Sequence, residues 1–241
     1  MILAAGGIGS RMGASIPKQY LSLSDKPIAL HSFELFCQMD EFDEIIVVCE
    51  PQFRPLFSFA SKPILFADPG KRRQDSIFSG FCAASKRASI VCTHDSARPF
   101  VEKKEILALL DQTLEVGAAT LGAPVLCTIK KCRSNRIAEE TLDRSSLWEI
   151  QTPQALRYDL LKRGFALAAD RDIEVTDDAS LAELLGASVA VVPSPHSNFK
   201  ITTPTDMAVA TTIYALQKGT SGEKPYPASC HHSLELPCAT N

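Results

Sequence analysis

The residues best suited to chemistry lie close to the amino terminus, in a glycine-rich loop and a basic segment. A short apolar run, residues 2–5, leads directly into Gly6-Gly7-Ile8-Gly9-Ser10-Arg11-Met12-Gly13, and Pro17-Lys18-Gln19-Tyr20 follows. Glycine lets the backbone approach a phosphate where a Cβ would clash, and successive N–H groups can form an anion-binding nest. Because Arg11 and Lys18 add two positive charges, the segment predicts a loop that holds a nucleotide triphosphate.

Two other kinds of nucleotide loop fit this segment less well. A dinucleotide site needs a different glycine spacing and an acidic residue about 20 residues further on, whereas Glu50 lies much farther along the chain. A P-loop needs Gly-Lys-Ser/Thr, which this loop lacks. A dehydrogenase is therefore disfavoured. A non-catalytic nucleotide-binding regulator stays open, although it would be expected to lose Arg11, Lys18 or Asp95.

A second basic segment, Gly70-Lys71-Arg72-Arg73-Gln74-Asp75-Ser76, lies between a predicted strand and a predicted helix. Three adjacent basic residues are often only a solvated loop. At the start of a helix they could also contact an anion or the edge of a base. Both interpretations stay open from the residues alone.

A third segment, Thr93-His94-Asp95-Ser96-Ala97-Arg98-Pro99, closes a predicted strand. Asp95 at the carboxyl end of a strand beside a triphosphate is a natural Mg²⁺ ligand, because this cation prefers oxygen. Arg98 could bind a second anion. The alternative is an Asp–Arg pair that merely closes the loop. His94 is expected to be structural.

Two further segments carry polar residues in unusual settings. Thr176, followed by Asp177 and Asp178, is either part of a site or the cap of a helix over residues 179–185. Lys200 stands between apolar neighbours, so it needs an anionic partner or a path to solvent.

Alternating strand and helix patterns must position these segments. Apolar runs predict strands at residues 2–5, 44–49, 63–66, 90–94, 119–125 and 189–192. Helical periodicity follows Pro27 and recurs at residues 77–84, 105–116 and 206–216. This order predicts an α/β fold with a mostly parallel, doubly wound sheet, whose ligands bind at the carboxyl ends of the strands. The loops after Ala5, Phe66 and His94 should meet there.

Two regions depart from this pattern, one inside the domain predicted to cover residues 1–218 and one after it. Residues 128–148 are polar and barely periodic, which predicts a projecting β-arm used for contact between two subunits. Residues 219–241 are rich in Gly, Ser, Pro and His and predict a disordered tail.

Composition limits the partners. A chain of 241 residues with net charge −3 has no general attraction for nucleic acid or an anionic membrane. It contains no apolar run near 18 residues and no signal peptide pattern at its start. Most of its eight cysteines are scattered singly, as expected for buried residues in a reducing cytoplasm.

Taken together, these segments resemble the 2-C-methyl-D-erythritol 4-phosphate cytidylyltransferase family of the non-mevalonate isoprenoid pathway. The resemblance runs from about residue 2 to residue 216. It rests on G-G-I-G-S-R-M-G with P-K-Q-Y, G-K-R-R-Q-D-S, H-D-S-A-R-P, R-S-S-L-W-E-I-Q-T-P-Q, T-D-D-A-S and N-F-K-I-T-T-P. The first block also resembles ribitol-5-phosphate cytidylyltransferases, whereas T-D-D-A-S-L and R-x-x-L-W favour the erythritol enzyme.

The resemblance implies a homodimeric enzyme with a Rossmann-like nucleotidyltransferase fold and a swapped arm. It would transfer a cytidylyl group from CTP to the polyol phosphate, with Mg²⁺ on Asp95 and with Arg11 and Lys18 stabilising the reacting phosphates. It places CTP against Ala5, Gly6, Gly7, Gly9, Ser10, Gly70 and Ser76. It places the polyol phosphate near Asp95, Arg98, Thr152, Thr176 and Lys200, with Arg144 reaching over from the other subunit.

Overall fold

The computed structural model describes residues 1–7, 12–13, 16–58 and 62–220. Helices and strands alternate along the chain, with short 3₁₀ turns at Lys18–Tyr20, Pro51–Phe57 and Arg144–Ser146. The strands are β1 Ile2–Ala4, β2 Ser22–Leu23, β3 Lys26–Pro27, β4 Ile45–Val48, β5 Ile64–Ala67, β6 Ile90–Asp95, β7 Ala118–Pro124, β8 Lys130–Cys132, β9 Ala138–Thr141, β10 Trp148–Arg157 and β11 Ala190–Pro193. The helices are α1 Ile28–Cys37, α2 Arg73–Ala83, α3 Lys103–Val116, α4 Tyr158–Asp170, α5 Ser180–Glu183 and α6 Pro204–Thr220.

The central sheet has seven strands in the order β11-β7-β10-β6-β1-β4-β5. All neighbouring pairs are parallel except those made by β10, which runs antiparallel to both β6 and β7. The mostly parallel sheet expected from the sequence is therefore confirmed, and the six strands predicted from apolar runs all belong to it.

Helices cover both faces of this sheet, so the doubly wound arrangement is also confirmed. On one face Leu3 of β1 belongs to the same core as Phe33 of α1 and residues of α3. On the other face its neighbour Ile2 belongs to a core with Phe165 of α4 and residues of α2 and α5. Alternate side chains of β1 thus anchor the two layers, which fixes the loop that follows this strand.

The polar region 128–148 contains a β-hairpin, as predicted. Strands β8 and β9 pair antiparallel in a separate two-stranded sheet, and all of their residues are exposed. Trp148 already begins β10 and pairs with Pro124 of β7, so the arm ends one residue earlier than predicted. Helix α6 extends to Thr220, and residues 221–241 of the predicted tail lie outside the described part of the chain.

Strand β10, helix α4 and the short antiparallel pair of β2 and β3 were not expected from the sequence. Strand β10 has polar buried residues in its middle, and its pairing with β7 shifts register between Ile150 and Gln154. Helix α4 buries Leu161, Phe165 and Ala168 on one side, a spacing that indicates a helix in the sequence itself.

Within the described ranges, no helix is both long enough and apolar enough to cross a membrane. The six cysteines located there are all free thiols. Cys37, Cys49 and Cys92 are buried as expected, whereas Cys82, Cys127 and Cys132 are exposed, so the expectation of burial is wrong for these three.

Candidate active site

Two neighbouring cavities lie at the carboxyl ends of the central strands. The glycine-loop cavity, of about 430 Å³, is lined by the segments that follow β1, β4, β5 and β6. The β10 cavity, of about 480 Å³, is lined by residues of β10 and of the segment before α5. Arg73, Asp95 and Lys200 line both cavities. The loops after Ala5, Phe66 and His94 therefore meet at one site, as the sequence predicted.

The start of the glycine loop is held by the segment Pro17-Lys18-Gln19-Tyr20. The Gln19 amide Nε2 donates hydrogen bonds to the carbonyl oxygens of Ala5, at 2.7 Å, and Gly7, at 2.9 Å. The Tyr20 hydroxyl also donates to the Ala5 carbonyl, at 2.7 Å. A trans peptide unit directs its N–H opposite to its C=O. The Gly6 N–H therefore points away from Gln19 and Tyr20.

Glycine is required where the loops after β1 and β5 meet. A Cβ built on Gly6 would lie 2.3 Å from Cβ of Pro69, and one built on Gly70 would lie 2.3 Å from Cβ of Asp75. Both distances are far below van der Waals contact. A larger residue at position 6 would push the two loops apart, and one at position 70 would push its loop away from the start of α2, so either would change the wall of the glycine-loop cavity.

The basic segment before α2 is folded back onto the helix. The Arg72 N–H donates to the Asp75 carboxylate at 3.1 Å, and the Gly70 N–H donates to Ser76 Oγ at 3.0 Å. The Arg72 side chain pairs with Asp75 on the surface. These contacts leave Lys71 and Arg72 at the mouth of the cavity, and they turn Arg73 inward.

A network of four charged side chains separates the two cavities. The Arg73 guanidinium donates to both carboxylate oxygens of Asp178, at 2.9 and 2.8 Å, and its Nε donates to Asp95 at 2.9 Å. The second oxygen of Asp95 accepts from Lys200 Nζ at 2.7 Å. Asp178 is fully buried and also accepts from the Thr93 hydroxyl at 2.7 Å. Lys200 thus has the anionic partner that its apolar neighbours required.

Asp95 is ionised in this network. Burial alone would raise its pKa, but the charges of Arg73 and Lys200, together with the Lys200 hydrogen bond, hold the pKa well below the usual range. Burial lowers the pKa of Arg73, and the two carboxylates outweigh this effect and raise it. Each charge therefore stabilises the others around the two buried carboxylates, Asp95 and Asp178.

A buried chain of hydrogen bonds links Asp95 to Arg98. Thr152 Oγ1 accepts from the Asp95 N–H at 3.0 Å and lies 3.1 Å from Nδ1 of His94. His94 Nε2 lies 3.0 Å from the Arg98 carbonyl. Because a carbonyl only accepts, Nε2 carries the proton and Thr152 donates to Nδ1. Burial lowers the pKa of His94 to about 4, so the ring is neutral. His94 is structural, as expected.

Lys18 also lines the glycine-loop cavity. It is only 8% exposed, and its Nζ donates to the Ile201 carbonyl at 2.6 Å. The Ile201 N–H in turn donates to the Ala97 carbonyl, so the strand-like segment around Lys200 is fixed to the loop after β6. Two ammonium groups thus approach the cavity from neighbouring segments.

Few side chains at the two cavities could coordinate a metal ion. Among residues 1–7, 12–13, 16–58 and 62–220, no group of three or more His, Cys, Asp or Glu side chains could hold an ion. Asp95 is the carboxylate that faces both cavities, and it already accepts from Arg73 and Lys200. Mg²⁺ is often bound by one or two carboxylates together with substrate phosphates. Asp95 fits that kind of site, in which the phosphates supply most ligands.

Comparison with known proteins gives one consistent result. Residues 1–215 match the family model described as 2-C-methyl-D-erythritol 4-phosphate cytidylyltransferase. The chain belongs to this family. The chloroplastic cytidylyltransferase of Oryza sativa subsp. japonica is 46% identical over 214 residues, which cover 87% of this chain and 72% of that protein. The Chlamydia pneumoniae cytidylyltransferase is 40% identical over 210 residues, or 87% and 96% of the two chains.

Solved structures of the cytidylyltransferase family share the fold. The Francisella tularensis enzyme superposes with a TM-score of 0.76 at 30% identity, and the match covers 88% of this chain and 97% of that one. The Thermus thermophilus enzyme gives a TM-score of 0.71 at 28% identity, over 89% and 98% of the two chains. The Rossmann-like nucleotidyltransferase fold implied by the sequence is therefore confirmed.

Most residues that the sequence assigned to the cytidylyltransferase site line one of the two cavities. Those on the glycine-loop cavity are Gly6, Gly7, Lys18, Gly70 and Ser76, and those on the β10 cavity are Arg98, Thr152 and Thr176. Asp95 and Lys200 line both. Ala5 is buried beneath the loop. Arg144 lies at the base of the arm, where it donates to the Leu126 carbonyl at 2.7 Å, and it lines neither cavity. Gly9, Ser10 and Arg11 lie outside the described residues.

Sequence reasoning did not single out several residues that build this site. Arg73 and Asp178 lie within segments that were identified, G-K-R-R-Q-D-S and T-D-D-A-S, but their pairing was not foreseen. Gln154 donates to Asp177 at 2.8 Å and accepts from the Asp178 N–H at 2.8 Å, which orients the two aspartates. Asp177, not Thr176, accepts from the Ser180 N–H at the start of α5. Thr176 is thereby left facing the β10 cavity.

Proposed function

We propose that the protein binds CTP in the glycine-loop cavity and 2-C-methyl-D-erythritol 4-phosphate in the β10 cavity, and joins them at the shared wall. The family activity is transfer of a cytidylyl group from CTP to this acceptor in isoprenoid precursor biosynthesis. One observation carries the assignment of the two cavities: both are lined by Arg73, Asp95 and Lys200. Two phosphorylated substrates bound there would bring their phosphates together.

The proposed reaction is a direct displacement at phosphorus. An oxygen of the acceptor phosphate attacks the α-phosphorus of CTP, the bond from that phosphorus to the β-phosphate oxygen breaks, and pyrophosphate leaves. The products are 4-diphosphocytidyl-2-C-methyl-D-erythritol and pyrophosphate. The attacking phosphate is already ionised, so no general base and no covalent enzyme intermediate is needed. Catalysis then depends on position and charge.

Lys18 and Arg11 are proposed as the catalytic cations. The Lys18 ammonium lines the glycine-loop cavity and is held by the Ile201 carbonyl, so little reorganisation is needed when negative charge builds up on the phosphorus oxygens. Gly6 and Gly7 offer backbone N–H groups to the triphosphate, and Gly70 and Ser76 contact the nucleoside. Arg11 follows the same loop in sequence.

Asp95 is proposed to hold Mg²⁺ jointly with the triphosphate. When bound, the ion would neutralise phosphate charge and help pyrophosphate to leave. The low pKa of Asp95 supports this role, because the carboxylate stays ionised throughout the physiological range. Lys200 and Arg73 keep that carboxylate at the boundary between the cavities.

The acceptor is proposed to bind through Arg98, Thr152, Thr176 and Lys200, which line the β10 cavity. Arg144 is proposed to reach the acceptor phosphate of the partner subunit from the arm. Support for this comes from its exposure and from the hairpin, which has no core of its own and needs a second surface. The scattered free cysteines support a reducing, cytoplasmic setting.

Pyrophosphate release is the direct test. The protein is incubated with CTP and Mg²⁺, together with methylerythritol phosphate, with ribitol 5-phosphate or with no acceptor. We expect rapid release only with methylerythritol phosphate. Faster release with ribitol 5-phosphate would contradict the substrate assignment, and CTP binding without release under any condition would indicate a regulator instead.

A further inference from the structure

Glu50 is an acidic residue that lines the glycine-loop cavity, and unlike Asp95, the other carboxylate there, it has no cation paired with it in the described part of the chain. It follows β4, the strand that pairs directly with β1, and Val48 of β4 lies opposite Ala4. Glu50 lines the glycine-loop cavity together with Gly70 and Lys71 of the loop after β5, and the residue is exposed. The reaction described above assigns no role to this carboxylate.

The backbone around Glu50 is well fixed. Its carbonyl accepts from the Phe53 N–H at 3.0 Å, and Pro51 restricts the chain immediately after it. Phe53 stacks on Tyr20 with a centroid distance of 3.8 Å, and Tyr20 holds the Ala5 carbonyl. The position of Glu50 is therefore coupled to the glycine loop itself.

The carboxylate of Glu50 has no hydrogen-bond or ion-pair partner among the described residues, although basic groups are close by. The nearest basic residue in sequence, Arg54, pairs instead with Asp68 at 2.6 Å. Arg72 pairs with Asp75. Glu50 is therefore an exposed residue of the cavity wall whose carboxylate oxygens accept no hydrogen bond from the described residues.

Charge determines which part of CTP can lie against this carboxylate. A triphosphate would be repelled by this carboxylate and attracted to Lys18 and Lys200, which line the same cavity. The nucleoside is neutral and carries hydrogen-bond donors, namely the exocyclic amine of cytosine and the ribose hydroxyls. Carboxylates accept from the cytosine amine in nucleic-acid recognition. An acidic residue at the end of the strand beside a glycine loop binds ribose hydroxyls in dinucleotide folds.

We propose that Glu50 is a specificity-determining residue that accepts a hydrogen bond from a donor group of the CTP nucleoside. This proposal rests on the proposed function, because it requires CTP in the glycine-loop cavity. A nucleotide that lacks the donor, or presents an acceptor in its place, leaves the carboxylate unpaired or repelled. Such a mismatch typically costs more than the loss of an apolar contact.

The test compares three nucleotides on wild-type protein and on Glu50→Gln. CTP carries both donors, UTP replaces the amine by a carbonyl oxygen, and 2′-deoxy-CTP lacks one ribose hydroxyl. Glu41→Gln, an exposed residue that lines neither cavity, makes the same change of charge and serves as control. kcat/KM with methylerythritol phosphate and nucleotide binding without acceptor are both measured.

Two ratios of kcat/KM are compared, CTP over UTP and CTP over 2′-deoxy-CTP. We expect Glu50→Gln to reduce one of these ratios by about tenfold or more, while Glu41→Gln leaves both unchanged. A smaller preference for CTP over UTP identifies the amine as the donor, and a smaller preference for CTP over 2′-deoxy-CTP identifies the hydroxyl. If both ratios match those of the wild type, the proposal for Glu50 is wrong and the proposed function stands. If the wild-type protein does not use CTP at all, both proposals fail.

Discussion

The guanidinium of Arg73 and the carboxylate of Asp178 meet in a two-point contact, with nitrogen–oxygen distances of 2.9 and 2.8 Å. The residues lie 105 positions apart, on α2 and on the segment before α5. The same guanidinium orients Asp95, so the geometry at the boundary of the two cavities depends on a residue from each half of the chain.

Replacing Asp178 by Asn should destabilise the fold and disturb the site together. The variant leaves Arg73 with one fewer carboxylate in a position where its side chain is 27% exposed. Losing one partner of a buried pair costs about 3–5 kcal/mol, and partial access of water favours the lower end. Urea unfolding measures the change. The control is Asp25→Asn, which removes an exposed pair with Lys218 and should cost less than about 1 kcal/mol.

Lys18→Ala should remove catalysis while the fold is retained. The side chain loses a hydrogen bond to the Ile201 carbonyl, so a stability loss below about 2 kcal/mol is expected. Turnover should fall by at least about 10²–10³, the usual cost of losing one donor to a developing negative charge. Lys86→Ala, on an exposed lysine outside both cavities, should keep wild-type turnover. Turnover near the wild-type rate in Lys18→Ala would refute the catalytic role.

Tyr20→Phe should weaken CTP binding without affecting the acceptor. The variant removes one of two donors to the Ala5 carbonyl and leaves the Gln19 amide in place. The net value of one hydrogen bond is about 0.5–1.5 kcal/mol, which predicts a threefold to tenfold higher KM for CTP. The KM for methylerythritol phosphate should not change. Tyr214→Phe on α6 is the matched control. An equal rise in both KM values would show a general loss of structure instead.

Acid should destabilise the protein through His94 before it affects Asp95. The pKa of His94 falls from 6.5 to about 4 on folding, because the ring is buried. Above pH 6.5 His94 is neutral in both states and does not lower the free energy of unfolding. As pH falls toward 4, the unfolded chain binds a proton that the folded protein does not, so the free energy of unfolding decreases. The full effect is about 3 kcal/mol. The pKa of Asp95 is lowered on folding, so its contribution to stability is lost progressively from the usual carboxylate range downward, at lower pH than that of His94.

Unfolding by urea at several pH values between 7 and 4.5 tests this expectation. The slope of stability against pH should be smaller in His94→Gln, whatever its absolute stability. His31 is the necessary comparison, because burial also lowers its pKa to about 4. In His31→Gln, the part of the slope of unfolding free energy against pH that is due to His94 should remain. An unchanged slope in His94→Gln would contradict the assignment.

The sequence predicted those parts of the fold that depend on local apolar pattern. The runs that became β1, β4, β5, β6, β7 and β11 are largely apolar in sequence, so they were recognisable, although β5 and β11 at the sheet edges are only partly buried. Strand β10 was missed because Gln151, Thr152 and Gln154 are polar, and they are buried only because each bonds to the site. The sequence identified the segments that form the site, but not which of their residues contact each other. The pairing of Arg73 with Asp178 joins residues that are distant in sequence, so no local pattern could predict it.

A mixing experiment between two inactive variants tests whether the arm completes the partner's site. Lys18→Ala disables the site in its own chain, and Arg144→Ala would disable the site of the other chain. In a mixed dimer, one site then lacks both residues and the other lacks neither. Random exchange should restore activity to about a quarter of the sites, although each variant alone is inactive. If Arg144 served its own chain, or the active protein were a monomer, mixing would restore nothing. Co-purification of the two variants through a tag carried by only one of them is the control that confirms subunit exchange.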